Sequence, residues 1–149
     1  MHQRVSAATV APDLYKALYG VEKYLRANVD HTIMELVKLR ASMTNGCAYC
    51  VDMHSTDALE AGETKERLFG VAAWREGPWY SAAERAALAL TDSVTALGPE
   101  GVPDDVWDEA TEHFDEKALV DLLGLIGMIN LWNRIAVPAR STPRSHAGS

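Results

Sequence analysis

Cysteine is almost missing from this chain: its 149 residues contain two. Small secreted domains stapled by disulfides spread several cysteines along their length, so that class is excluded. Basic residues are also scarce, 14 against 21 acidic, for a formal net charge of −7. Nucleic acid and anionic membrane surfaces both reward basic patches, and neither is expected as a partner. Long hydrophobic runs are missing as well. The N-terminal MHQRVSAATVAPD has no apolar core of the secretory-signal kind. The longest charge-free apolar stretch, between Asp121 and Arg134, falls short of the ~20 residues that span a bilayer. No segment alternates apolar and polar residues over a strand length, and no internal repeat stands out. The chain is nevertheless 48% hydrophobic. A domain of this length buries roughly 70% of its unfolded surface, enough for a core without staples or a structural metal. The expectation is one soluble, cytoplasmic, all-α domain over residues 1–140, followed by a polar, disordered tail over 141–149.

Helical spacing carries the chain from Pro12 to Leu25, with Leu14, Leu18, Val21 and Leu25 on one face. A second helix fits from Asp30 or His31 to about Met43 and is apolar on most sides. Thr44-Asn45-Gly46 breaks it. A third runs from about Cys47 to Ala61, ended by Gly62, and a short one follows from Thr64 to about Ala73. Trp74 to Tyr80 reads as a loop. Ser81 and Glu84 have the spacing of a capping box, opening a helix whose apolar face includes Ala83, Ala87, Leu90, Val94 and Leu97. Pro103 suits the first position of another helix, reaching about Phe114. The last helix spans about Glu116 to Ile135, with Pro138 marking its end. It has almost no polar face, which predicts that another subunit covers part of it.

The two cysteines are three residues apart, as Cys47 and Cys50. If the third helix begins at Cys47, then Cys47, Cys50 and His54 share one face, with the imidazole one turn below Cys50. Free N–H groups of the first helical turn favour a thiolate at either cysteine. Glu35 lies among Ile33, Met34, Leu36 and Val37 on the preceding helix, so its carboxylate needs a partner. Glu35 stands about as far before the turn as His54 stands after it. An antiparallel hairpin therefore brings them to the same depth and offers a Glu–His–thiol relay. Zinc held by Glu35, Cys47, Cys50 and His54 is chemically open, although chelating pairs of this kind are usually met by a second pair. A thioredoxin-like domain is excluded, since no βαβ pattern surrounds the motif. Tyr49 is either a wall of a substrate pocket or simple packing.

The pattern Glu35, Cys47-x-x-Cys50, His54, extended by Gly62 and the run Ile129-Asn130-Leu131-Trp132-Asn133-Arg134, resembles the AhpD-like alkylhydroperoxidase group of the carboxymuconolactone decarboxylase family. The resemblance covers roughly Pro12 to Val137. It implies an all-helical bundle with the cysteine pair at the N-terminus of a core helix, assembled as a homo-oligomer, trimer or hexamer. It implies a peroxidase that reduces hydroperoxides without metal or organic cofactor. In that cycle Cys50 attacks the peroxide, Cys47 resolves the sulfenic acid as a disulfide, and Glu35 and His54 relay the proton. An external thiol or dithiol protein then restores the pair. The longer AhpD proteins carry a histidine where this chain has Tyr49. Two alternatives accompany this expectation: a general thiol–disulfide oxidoreductase, and a non-redox, decarboxylase-like enzyme acting on a small carboxylic acid.

Overall fold

A computed structural model describes residues 2–146. Among the described residues there are eight α-helices: α1 (Ala7–Val10), α2 (Pro12–Asn28), α3 (His31–Thr44), α4 (Ala48–Glu60), α5 (Lys65–Gly70), α6 (Ala82–Thr95), α7 (Asp104–His113) and α8 (Glu116–Ala139). Short 3-10 turns cover Val71–Ala73 and Arg144–His146. Among the described residues there is no strand, only an isolated bridge between Gly98 and Gly101. The all-α class expected from the sequence is therefore the class of the chain.

α3 is the axis of the bundle. Asp30 caps it by accepting from the Ile33 N–H, and every residue from Met34 to Leu39 is buried. It packs against α4, α6 and α8. Two cores meet around it. One joins Met34 and Val37 to Leu90 of α6 and to Leu122, Leu125 and Ile126 of α8. The other joins Leu36 and Leu39 to Ala58, Leu68, Trp74 and Leu88. Each fully buried Leu or Ile contributes about 1.5–3 kcal/mol over its exposed state, so these clusters carry most of the fold's stabilisation.

The connection from α3 to α4 has no spare residue. Gly46 sits at φ +67°, a left-handed conformation that costs a side-chain-bearing residue. The Cys47 N–H reaches the Ser42 carbonyl, and the Gly46 N–H reaches that of Met43. This pair of bonds is a Schellman cap, and its last residue, Cys47, is already the N-cap of α4. Gly62, at φ +97°, closes α4 with the same two bonds, from Glu63 to Ala58 and from Gly62 to Leu59.

Several boundaries differ from the sequence reading. α1 was not expected, because four residues carry too little periodicity to register. Pro103 is the cap of α7 rather than its first residue. α6 stops at Thr95, leaving Leu97 exposed instead of on the core face. Pro138 lies inside α8, within its last turn. A proline there removes one N–H donor without ending the helix. The stop comes from Arg140 in the left-handed region, with Ser141 bonding back to Ala136. By length and composition α8 meets the test for a membrane span, as core helices of bundles also do; Leu125, Ile126 and Ile129 are fully buried inside this bundle. Part of the stretch expected as a disordered tail is packed: the Ser145 N–H donates to Asp52 on α4. Residues 147–149 lie outside the described residues.

Candidate active site

Cys47 and Cys50 are joined as a disulfide. As N-cap, the Cys47 sulfur also accepts from the Cys50 N–H at 3.3 Å. α4 therefore begins one residue later than the sequence reading placed it, with Cys47 outside the first turn. The pair packs against Ala136 of α8, with Tyr49 alongside. An amide network fixes the turn in place: the Asn45 amide donates to the side-chain oxygens of Asn130 and Asn133, each at 2.9 Å, and the Asn133 amide donates to Ser42. Asn133 is itself buried, so these bonds replace ones that water could not make.

His54 is buried on α4, and its Nδ1 lies 3.1 Å from Glu35 Oε2 on α3. Burial opposes charge on the Glu35 carboxyl. The hydrogen bond from His54, together with the positive fields of His54, Lys38 and His31, outweighs it and holds the carboxyl below its ordinary value. A carboxylate only accepts, so Nδ1 is the nitrogen that carries hydrogen toward Glu35, and Nε2 is the ring's other nitrogen, turned away from it. Nε2 is the one buried side-chain nitrogen or oxygen without a hydrogen-bond partner among the described residues. Such an orphan calls for a reason.

A cavity of about 290 Å³ supplies the setting. Cys50, His54 and Tyr49 line it, whereas Cys47 does not. Tyr15, Tyr19 and Trp132 form an aromatic cluster on the same cavity, with ring centroids 5.2–6.0 Å apart. Glu35 lines a different cavity, of about 400 Å³, with His31, Arg67 and Glu84. The Glu35–His54 pair thus spans from one cavity to the other. The second cavity holds no sulfur, and its Arg67 is engaged by Glu63 and Glu84.

The structure thus bonds His54 to Glu35 and Cys50 to Cys47, and places Cys50, His54 and Tyr49 on one cavity. Among the described residues no group of three His, Cys, Asp or Glu side chains is arranged to hold a metal ion. Sequence reasoning missed a second polar pair on the cavity wall: Lys38 Nζ donates to Glu22 Oε2 at 2.7 Å, and Trp132 Nε1 donates to the other Glu22 oxygen at 2.9 Å. One signal was available. Lys38 stands three residues after Glu35, between Val37 and Leu39, and so shares its face.

Comparison with known proteins gives a consistent result. The model of the carboxymuconolactone decarboxylase family matches residues 12–93. The uncharacterised protein YdfG of Bacillus subtilis is 43% identical over 138 residues, covering 92% of this chain and 94% of its own. A crystal structure from Agrobacterium tumefaciens superposes with a TM-score of 0.92 at 38% identity, over 95% of this chain and 98% of its own. That protein, of unknown function, is described as a candidate antioxidant defence protein AhpD. An uncharacterised peroxidase-related protein with an alkylhydroperoxidase AhpD core, from Ralstonia eutropha, shares the fold at TM-score 0.79 and 22% identity, over 93% of this chain and 74% of its own.

Proposed function

Because the chain belongs to the carboxymuconolactone decarboxylase family and has its AhpD-like fold, we propose that it is a thiol-dependent peroxidase that reduces hydroperoxides. The observation that carries this reading is the shared cavity: Cys50 and an imidazole with a free Nε2 both line it, while Cys47 is bonded to Cys50 from behind. In the reduced protein His54 Nε2 takes the Cys50 proton, and Glu35 orients the ring and balances its charge. The Cys50 thiolate attacks the peroxide oxygen, becoming a sulfenic acid as the alcohol leaves. Cys47 displaces water from that sulfenic acid to form the disulfide, and an external thiol or dithiol protein restores both thiols. Each step uses side chains of the protein and needs no metal or organic cofactor.

The cavity's volume is at the small-molecule end of the usual range, and both sulfurs are buried. This favours a small hydroperoxide over a protein disulfide as oxidant. Tyr49 and the aromatic cluster would form the walls that hold its organic part. We also propose a homo-oligomer, trimer or hexamer. Val120, Leu131 and Val137 of α8 and Leu14 and Val21 of α2 are exposed apolar side chains, a combination that burial in an interface would resolve.

Trapping of the sulfenic acid tests the assignment of roles. Cys47→Ser treated with a hydroperoxide should yield one dimedone adduct, on Cys50, and Cys50→Ser none. An adduct on Cys47 in the second variant would reverse the two roles.

A further inference from the structure

We infer that Lys38 is a further catalytic residue, whose buried ammonium protonates the oxygen leaving the peroxide as Cys50 attacks. The inference rests on the peroxidase reading and adds the half of the proton balance that the Glu35–His54 pair leaves open.

Lys38 is 2% exposed, a rare state for a lysine. It lines the same cavity as Cys50 and His54. Its partner, Glu22, is likewise buried and is held from its other oxygen by Trp132. Buried ion pairs contribute little to stability compared with apolar residues of similar volume, because desolvation offsets the attraction. A lysine at this buried position of α3, between Val37 and Leu39, therefore contributes little stability. The donor count points the same way. An ammonium has three N–H donors, and here one is taken by Glu22. Two remain at the wall of a cavity that also holds a reactive sulfur and an unpaired imidazole nitrogen.

The chemistry requires such a donor. Cys50 sulfur gives an electron pair to the distal peroxide oxygen. The S–O bond forms, the O–O bond breaks, sulfur is oxidised, and the hydroperoxide is reduced to an alkoxide. The distal oxygen keeps its own hydrogen in the sulfenic acid. The alkoxide, strongly basic, takes a proton from Lys38. The proton that His54 removed from the thiol returns through solvent to Lys38, so thiol plus hydroperoxide gives sulfenic acid plus alcohol with no net proton change. His54, backed by Glu35, and the Lys38–Glu22 pair then face one cavity, the first taking the thiol proton and the second protonating the leaving oxygen. Donors placed where charge develops typically contribute factors of 10²–10³ in rate.

Leaving-group dependence separates this role from a structural one. The pre-reduced protein is mixed with tert-butyl hydroperoxide, whose leaving group is a basic alkoxide, and with peracetic acid, whose leaving group is a weakly basic carboxylate. Thiol loss is followed in a single turnover. Lys38→Met combined with Glu22→Gln keeps the pair neutral. It should slow the alkyl hydroperoxide about 100-fold and the peracid only a few-fold. A double variant slowed equally toward both overturns the role of Lys38 and leaves the peroxidase reading standing. A wild type that reacts with neither overturns both. The wild type alone gives a variant-free check. Its peracid-to-alkyl-hydroperoxide rate ratio should be at least about tenfold smaller than that of glutathione thiolate, given the size of such donor effects; an equal ratio contradicts the inference.

Discussion

Glu35 shows how one residue ties stability to chemistry. Its carboxyl is held below the ordinary glutamate range of about 4.3, because the His54 bond and neighbouring positive charge outweigh burial. The sign follows from linkage. A depressed carboxyl contributes stability above its unfolded value, and the contribution is lost as pH falls through the lower, folded value. Glu35→Gln should therefore lose about 1–2 kcal/mol at neutral pH and show a shallower fall in stability below pH ~4, measured by urea unfolding across pH. A glutamine still accepts from Nδ1 but no longer balances an imidazolium, so thiol oxidation by peroxide should slow on the order of 10²-fold. An unchanged rate would remove Glu35 from the relay. The residues of this site were legible in the sequence to the extent that they sit on adjacent helices at fixed register: Glu35, Cys47, Cys50 and His54 needed only a hairpin. Glu22 was not, because it reaches Lys38 from α2 and Trp132 from α8, and no local spacing announces that meeting.

At the scale of elements, the critical joint is α3–α4. Three residues, Asn45-Gly46-Cys47, end one helix and cap the next, so any strain there is transmitted to the cysteine pair. Gly46→Ala places a Cβ in open space, but at φ +67° it should cost about 1–2 kcal/mol for conformational reasons alone. Asn133→Leu leaves the Asn45 amide with Asn130 as its α8 partner, removes the donor to the Ser42 hydroxyl, and should cost about 1–3 kcal/mol in chemical denaturation. It should also slow disulfide formation, since it frees the turn that carries Cys47; a full-rate Asn133→Leu protein would show that the network serves stability only. Turn chemistry made this joint readable in advance, as did the capping box of Ser81 and Glu84, which is present with both reciprocal bonds. Helix ends were less readable where tertiary context decides them. Pro138 sits inside the last turn of α8, and Arg140 supplies the left-handed stop that a glycine would have signalled.

At the scale of the whole molecule, α8 holds the two meanings of the high apolar content together. One side of it, through Leu122, Leu125, Ile126 and Ile129, is the centre of the bundle. Val120 and Val137 face outward at 65% and 44% exposure. Light scattering should find a particle of three or six 16.3 kDa subunits, and Val120→Glu with Val137→Glu should shift it toward the monomer. A wild-type monomer at micromolar concentration would contradict the expected interface. Intact mass reads the whole chain as a redox unit. The fully reduced protein is exposed to a slight excess of hydroperoxide, quenched with an alkylating agent and weighed. The peroxidase reading predicts a species lighter than the reduced chain by two hydrogen atoms and carrying no alkyl group, with the Cys47–Cys50 bond restored. A native protein that emerges alkylated at both cysteines would contradict it.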